Sequence, residues 1–246
     1  MHTVQCTHHA DSAAPPRTAL FDMDGTLFAL DSQVRFCRWV LCRHGWRRLY
    51  LLLVLPAGLL TALHLLPHDV MKRLFLSYAW GMRKEQLQAE CRAFAAEELL
   101  PALYPPVLER LRAHQAAGDV CVLCSASPAW WAQELAALLG FTHCIGTPVT
   151  MGDRVPLLPH LPAPGNNKGA AKLTRLAAQF GITRAAVGYT DSAADEPMLS
   201  ICDRAVLVNP KPAFAARHPQ AEVLHTDARA NNPLTILRCV LGFGGR

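Results

Sequence analysis

Short apolar runs that end in a polar residue alternate with amphipathic stretches along most of this chain. The run TALF at 18–21 reads as a buried strand delivering Asp22, and VCVLC at 120–124 as a second delivering Ser125. Further short strands are predicted at 143–145, 149–151, 185–189, 205–208 and 222–225, the run at 185–189 leading to Asp191. Between them the period changes. A helix is predicted from Pro105-Pro106 to residue 117, closed by Gly118. A second covers 128–139, where Trp131, Leu135, Leu138 and Leu139 recur at helical spacing before Gly140. A third runs from an Asn166 cap to Phe180, with Ala170, Leu173, Leu176, Ala177 and Phe180 on one face and Gly181 as its stop. Strands alternating with helices imply a parallel sheet. The fold class is α/β, a Rossmann-like core flanked by helices. In such sheets ligands sit beyond the carboxyl ends of the strands, so Asp22, Ser125 and Asp191 can share one crevice.

Residues 32–103 break the alternation. They are Leu-rich and helical in pattern, and read as a small all-helical cap inserted after the first strand; the core is then 1–31 with 104–246. Within the insert, LYLLLVLPAGLLTALHLL at 49–66 is an apolar run of 18 residues, the lower edge of membrane-spanning length. One crossing would put Asp22 and Asp191 on opposite sides of a bilayer, and Pro56 with Gly58 favours a broken helix or a helical hairpin. The readings left are a segment lying in one leaflet, a shallow re-entrant hairpin, or a buried helix. Proline-rich residues 156–164 and Gly165-Asn166-Asn167 mark an exposed loop.

Charge sharpens the picture of the insert. It holds ten Lys/Arg and five acids, a surplus equal to the whole chain's +5, with no acid from Ser32 to His68. Residues 43–73 therefore suit an anionic membrane surface, with Trp46 and Tyr50 as interfacial rings; the plainer alternative is a solvated helix face. No aromatic-rich strand or recognition helix accompanies the basic span, so nucleic acid is not an expected partner. The N-terminal MHTVQCTHHADSAAPPR lacks an apolar leader core. Nine scattered cysteines suggest free thiols in a reducing cytoplasm, at or near the inner face of its membrane. Cys121 and Cys124 have CxxC spacing, but in a strand they point to opposite faces.

The candidate chemistry begins at Asp22-Met23-Asp24-Gly25-Thr26-Leu27. Two carboxylates two residues apart, then glycine, suit a tight turn out of a strand: one acid can serve as nucleophile and metal ligand while the other handles protons, and glycine lets the backbone approach a phosphate. Alone, the motif also fits a surface turn or a calcium loop, although the terminal Glu of an EF-hand is missing.

DMDGTL resembles the first motif of the haloacid dehalogenase-like phosphatases, and three more resemblances follow in order: Ser125 in CSAS, Lys168 in Asn167-Lys168-Gly169, and Asp191 with Asp195 in YTDSAADEPML. The set is similar to the phosphoserine phosphatase-like IB branch, which carries a helical cap after the first motif. The resemblance implies a phosphomonoester substrate, Mg2+ held by the Asp22 carboxylate, the Asp24 carbonyl and Asp191, and attack by Asp22 to form an aspartyl-phosphate. It also implies Asp24 as acid and base, Thr26, Ser125 and Lys168 on the phosphoryl group, and Asp195 in support of Lys168 or a metal-bound water. Singly, each has a plainer reading: Ser125 as a helix cap, Lys168 as a solvated first-turn lysine, Asp195 as a first-turn acid.

The Leu-rich basic cap also resembles the bacterial phosphatidylglycerophosphatase C type, which implies a lipid phosphate. Two alternatives stand beside it: a soluble phosphatase of small phosphoserine-like metabolites, and a catalytically silent membrane-binding module. In the phosphoserine branch a cap Glu nine residues after the nucleophile meets the substrate amine. Here that position is Asp31, which reads more simply as the cap of the first inserted helix.

Overall fold

In the computed structural model the described residues are 16–226, apart from the side chains of His68 and Asp69. Most of the N-terminal stretch, with Cys6 and Cys239, lies outside them. Six strands lie parallel: β1 (Thr18–Asp22), β2 (Val120–Pro128), β3 (His143–Thr147), β4 (Ala185–Thr190), β5 (Cys202–Val208) and β6 (Glu222–Leu224). Their order is β3-β2-β1-β4-β5-β6. The chain builds outward from β1 in one direction, then returns to its other side with β4. The β1/β4 junction is therefore the switch point, and Asp22 and Asp191 are the residues delivered there.

The central strands β1, β2 and β4 are buried on both faces, which is why they read as continuous apolar runs. Ala19, Phe21, Cys121 and Leu123 pack with Val107, Leu111, Trp131 and Leu135 of α5 (Pro105–Ala116) and α6 (Ala129–Leu139). Leu20, Val122, Cys124 and Ile145 pack on the other face against Leu176 of α7 (Ala170–Phe180) and Met198 of α8 (Glu196–Leu199). Cys121 and Cys124 thus belong to opposite faces, and all cysteines among the described residues are free.

Every described element between β1 and α5 is helical, including α1 (Ser32–Arg43), α2 (Leu51–Ala62), α3 (His68–Phe75) and α4 (Lys84–Phe94). The Phe36 ring lies tilted 4.7 Å from that of Trp131 and edge-on 5.0 Å from that of Phe94, so an aromatic cluster joins the insert to α6. Where the chain returns, the Tyr104 N–H donates to the Leu27 carbonyl at 2.8 Å, stapling the two connections together. Asp31 is the cap of α1: its carboxylate accepts from the Gln33 and Val34 N–H groups at 3.0 and 3.1 Å.

The structure makes two sequence expectations more definite and corrects two others. Pro56 does not break α2; it forgoes one N–H donor, and the helix ends later in a Schellman turn at His64, whose φ is 58°. The result is a helical hairpin, with α2 packed on α3. Residues 149–151 form no strand, only a Thr150–His160 bridge, because the facing segment is too rich in proline to extend a ladder. The loop at 156–164 is exposed over most of its length, as expected, and it is anchored to the insert: Arg73 Nε donates to the Pro159 carbonyl at 2.8 Å and Ser77 Oγ to that of Leu157. Finally, α7 begins at Ala170 rather than Asn166, after Gly169 with φ 58° and ψ −129°.

Candidate active site

Asp22 leaves β1 beside Cys124 of β2, so Ser125 follows one residue beyond its register partner. The turn after Asp22 needs Gly25. Its φ is +83°, and a Cβ there would lie 2.4 Å from Asp191 Oδ2. The absence of a side chain at Gly25 lets the loop press against Asp191 across the switch point.

The decisive contact comes from α7. Lys172 is buried, and its Nζ lies 2.6 Å from Asp22 Oδ1 and 2.7 Å from Asp195 Oδ1. Asp195 is held in turn by the Thr190 hydroxyl, which donates to its Oδ2 at 3.1 Å. Lys168, the lysine expected here, is exposed. The physical reason is the late helix start. Gly169 breaks the backbone, and a residue three positions into α7 points down at the strand ends. Sequence reading missed Lys172 by starting the helix at Asn166. Its signal was the spacing of Lys172, Arg175 and Leu176, the three residues that α7 buries.

Thr26 is fully buried. Its hydroxyl lies 3.3 Å from Asp22 Oδ2 and 3.4 Å from Asp191 Oδ1, and it accepts the Asp191 N–H at 3.0 Å. It braces the two carboxylates. Ser125 is also buried, and its Oγ accepts the Ser127 N–H at 3.0 Å, inside β2 rather than as the cap of α6. Asn167 Nδ2 donates to the Ser125 carbonyl at 2.7 Å, and Arg175 Nη1 donates to Asn167 Oδ1 at 3.1 Å. These two residues, also missed, tie the loop before α7 to the end of β2.

Asp24 is held by both oxygens. Oδ1 accepts the Ser32 N–H and Oδ2 the Ser127 hydroxyl, each at 2.7 Å. Ser32 Oγ lies 3.1 Å from Ser127 Oγ and accepts from the Trp131 indole at 2.8 Å. The first residue of the insert's first helix therefore grips Asp24.

Burial pushes the Asp24 carboxyl up to about 6, against the opposing Ser127 hydrogen bond. Burial also pushes Asp191 up to about 6. Asp22 rises to about 8, through burial first, with Asp195 and Asp191 adding to it and Lys172 opposing. Three carboxylates, Asp22, Asp191 and Asp195, thus cluster near one ammonium, which pairs directly with Asp22 and Asp195. That surplus of negative charge is what a bound cation would relieve. Among the described residues no three acid, histidine or cysteine side chains form a metal site by themselves. Two carboxylates with a main-chain carbonyl, all hard oxygens, instead suit an ion that keeps several of its waters.

Residues 19–200 match the family model of haloacid dehalogenase-like hydrolases. The chain belongs to that family. Within it, the chain is 28% identical over 215 residues to the histidinol-phosphatase of Neisseria meningitidis serogroup C, covering 78% of this chain and 90% of the relative. It is 31% identical over 194 residues to protein CicA of Caulobacter vibrioides, covering 76% and 84%. The fold is shared with a Bordetella pertussis protein of unknown function (TM-score 0.70, 23% identity, 85% and 99% covered). It is shared too with a probable phosphoserine phosphatase of Vibrio cholerae (TM-score 0.60, 16% identity, 93% and 65% covered). The haloacid dehalogenase-like chain is thus an enzyme of the phosphatase type, with named phosphatases among its relatives.

Proposed function

We propose that the protein hydrolyses a phosphomonoester with Asp22 as nucleophile. The observation that carries this is Lys172, whose buried ammonium bridges Asp22 and Asp195 at the switch point. A carboxylate is repelled by a dianionic phosphate until that charge is offset, and Lys172 supplies one fixed positive charge beside the attacking oxygen. Asp22 attacks phosphorus in line, the bond to the leaving oxygen breaks, and an aspartyl-phosphate forms. Asp24 gives its proton to the leaving oxygen, then takes one from the water that cleaves the intermediate; its raised pKa suits both tasks. Mg2+, held by Asp22, Asp191 and the Asp24 carbonyl, would supply further neutralisation of the phosphoryl charge. Ser125 and main-chain N–H groups of the 23–24 turn bind the phosphoryl oxygens.

Asp22→Asn is expected to abolish phosphate release from p-nitrophenyl phosphate while leaving the circular dichroism spectrum unchanged, and EDTA is expected to silence the wild type. Turnover by the variant at the wild-type rate would remove Asp22 from its role.

For substrate, we propose a membrane lipid phosphate such as phosphatidylglycerophosphate, on a IB-type core with a cap of the phosphatidylglycerophosphatase C character, working at the inner face of the cytoplasmic membrane. Support comes from the leucines that α2 leaves exposed and from the acid-free basic stretch around it. A soluble amino-acid-type phosphomonoester is the second reading, favoured by the name of the Neisseria relative. Asp31 speaks against amine recognition at the phosphoserine position, because its carboxylate is engaged in capping α1. A turnover screen of phosphatidylglycerophosphate, lysophosphatidate, histidinol phosphate and phosphoserine separates the two.

A further inference from the structure

Among the described residues, eight of the fourteen exposed large apolar side chains lie between Leu49 and Leu65. The inner face of α2, marked by Val54, Ala57 and Thr61, is buried; Gly58 brings the helix close to α3, where a Cβ would lie 3.9 Å from Met71 Cε. The outer face carries Leu52, Leu55, Leu59 and Leu63, spaced three and four residues apart in one stripe. Leu52 is 76% exposed and Leu59 62%. A helix at a water boundary normally turns polar side chains outward; this one has no charged residue, and its one hydroxyl, on Thr61, is spent on the Ala57 carbonyl at 2.9 Å. A contiguous apolar face of this kind marks an interaction surface.

A groove of about 230 Å3 adjoins this face, lined by Leu49, Tyr50 and Leu53 with Trp46, Trp80 and Leu157. Trp46 and Trp80 are more than half exposed; Arg47, 4.6 Å over the Trp46 ring, is itself buried and holds the Tyr78 and Trp80 carbonyls at 2.8 and 2.7 Å, fixing these rings in place. Exposed Arg48 stands beside them, and no acid occurs from Ser32 to His68. Amphipathic rings and the exposed Arg48 bordering a leucine face match the layering of a bilayer surface: apolar chains below, headgroups above. A helix of twelve residues spans about 18 Å, well short of a hydrocarbon core. Among the described residues no helix is long and apolar enough to cross a membrane.

We propose that α2 lies flat in one leaflet of an anionic bilayer, its Leu52–Leu63 stripe among the acyl chains and Trp46 and Trp80 at the headgroup level. This deepens the lipid-phosphate reading by naming the surface through which the enzyme would meet such a substrate. Its test uses no catalysis, so failure to dock and failure to hydrolyse are separate results.

The test is vesicle flotation of the full chain on phosphatidylcholine alone and on phosphatidylcholine with phosphatidylglycerol, at low and high salt. The wild type is expected to float with the anionic vesicles, less so at high salt. Leu52→Glu/Leu59→Glu should bind roughly a hundredfold more weakly, about tenfold for each leucine withdrawn. Both positions are exposed, so p-nitrophenyl phosphate turnover and circular dichroism should be unchanged. A wild type that stays at the bottom with every vesicle, or a variant that floats as well as the wild type, overturns the proposal. So does sedimentation showing a vesicle-free dimer that the substitutions dissociate, which would give the face to a second copy.

Discussion

Lys172 is where one side chain decides most. It sits in a low-dielectric site with two acids within 2.7 Å, and its removal leaves both without their counter-charge. Lys172→Ala is expected to reduce p-nitrophenyl phosphate turnover by at least roughly a hundredfold. It should also cost about 3–5 kcal/mol of stability, read by urea unfolding at neutral pH. Lys168→Ala should change neither, because Lys168 is exposed. Equal losses in the two variants would show that the ammonium at Asp22 has no special part. The acids themselves were legible in the sequence because Asp22 and Asp191 each end a strand, and strand ends are readable from apolar runs. The lysine was not, because its placement depends on where a helix begins, and a shift of four residues changes which side chain faces the sheet.

At the scale of elements, the start of α7 is set by one backbone position. Gly169 takes φ 58° and ψ −129°, a conformation closed to residues with a Cβ, although space is open around it and its nearest contact would be 3.7 Å away. Gly169→Ala should therefore destabilise through backbone strain alone, by about 1–3 kcal/mol in urea unfolding, and lower turnover by displacing Lys172. An unchanged stability would mean that the loop relaxes without moving the helix. The hairpin of α2 and α3 carries a second lesson. Hydrophobicity all round identified α2 as unusual, but which leucines face α3 and which face outward follows from the pairing of the two helices. Proline was a poor guide to the break, since the real stop is the hydrogen-bonded turn at His64.

At the scale of the whole molecule, the end of the sheet away from the catalytic edge is tied by Asp119. It accepts from the Arg17 N–H at 3.2 Å and pairs with His114 Nδ1 at 2.7 Å, while His114 Nε2 meets the Tyr189 hydroxyl at 3.0 Å. Burial alone would raise the Asp119 carboxyl; the His114 and Arg17 contacts overcome it and hold the group below its usual value. A depressed carboxylate stabilises the fold above its unfolded pKa, and that stabilisation fades as pH falls through the folded value. Wild type should accordingly lose stability below about pH 4, and Asp119→Asn should lose less over the same range. Urea unfolding from neutral to acid pH checks this; parallel curves for the two proteins would exclude Asp119 as a source of the acid dependence. By itself the sequence determined the alternation of strands and helices, the helical interruption after β1 and the acids at strand ends, because those follow from local periodicity. Tertiary structure alone decided that Lys172 meets Asp22, that Ser32 and Ser127 hold Asp24, and that residues 156–164 bind the insert. All but the Ser32–Asp24 contact join chain segments far apart, and distance along the chain carries no information about angle or depth until the sheet has formed.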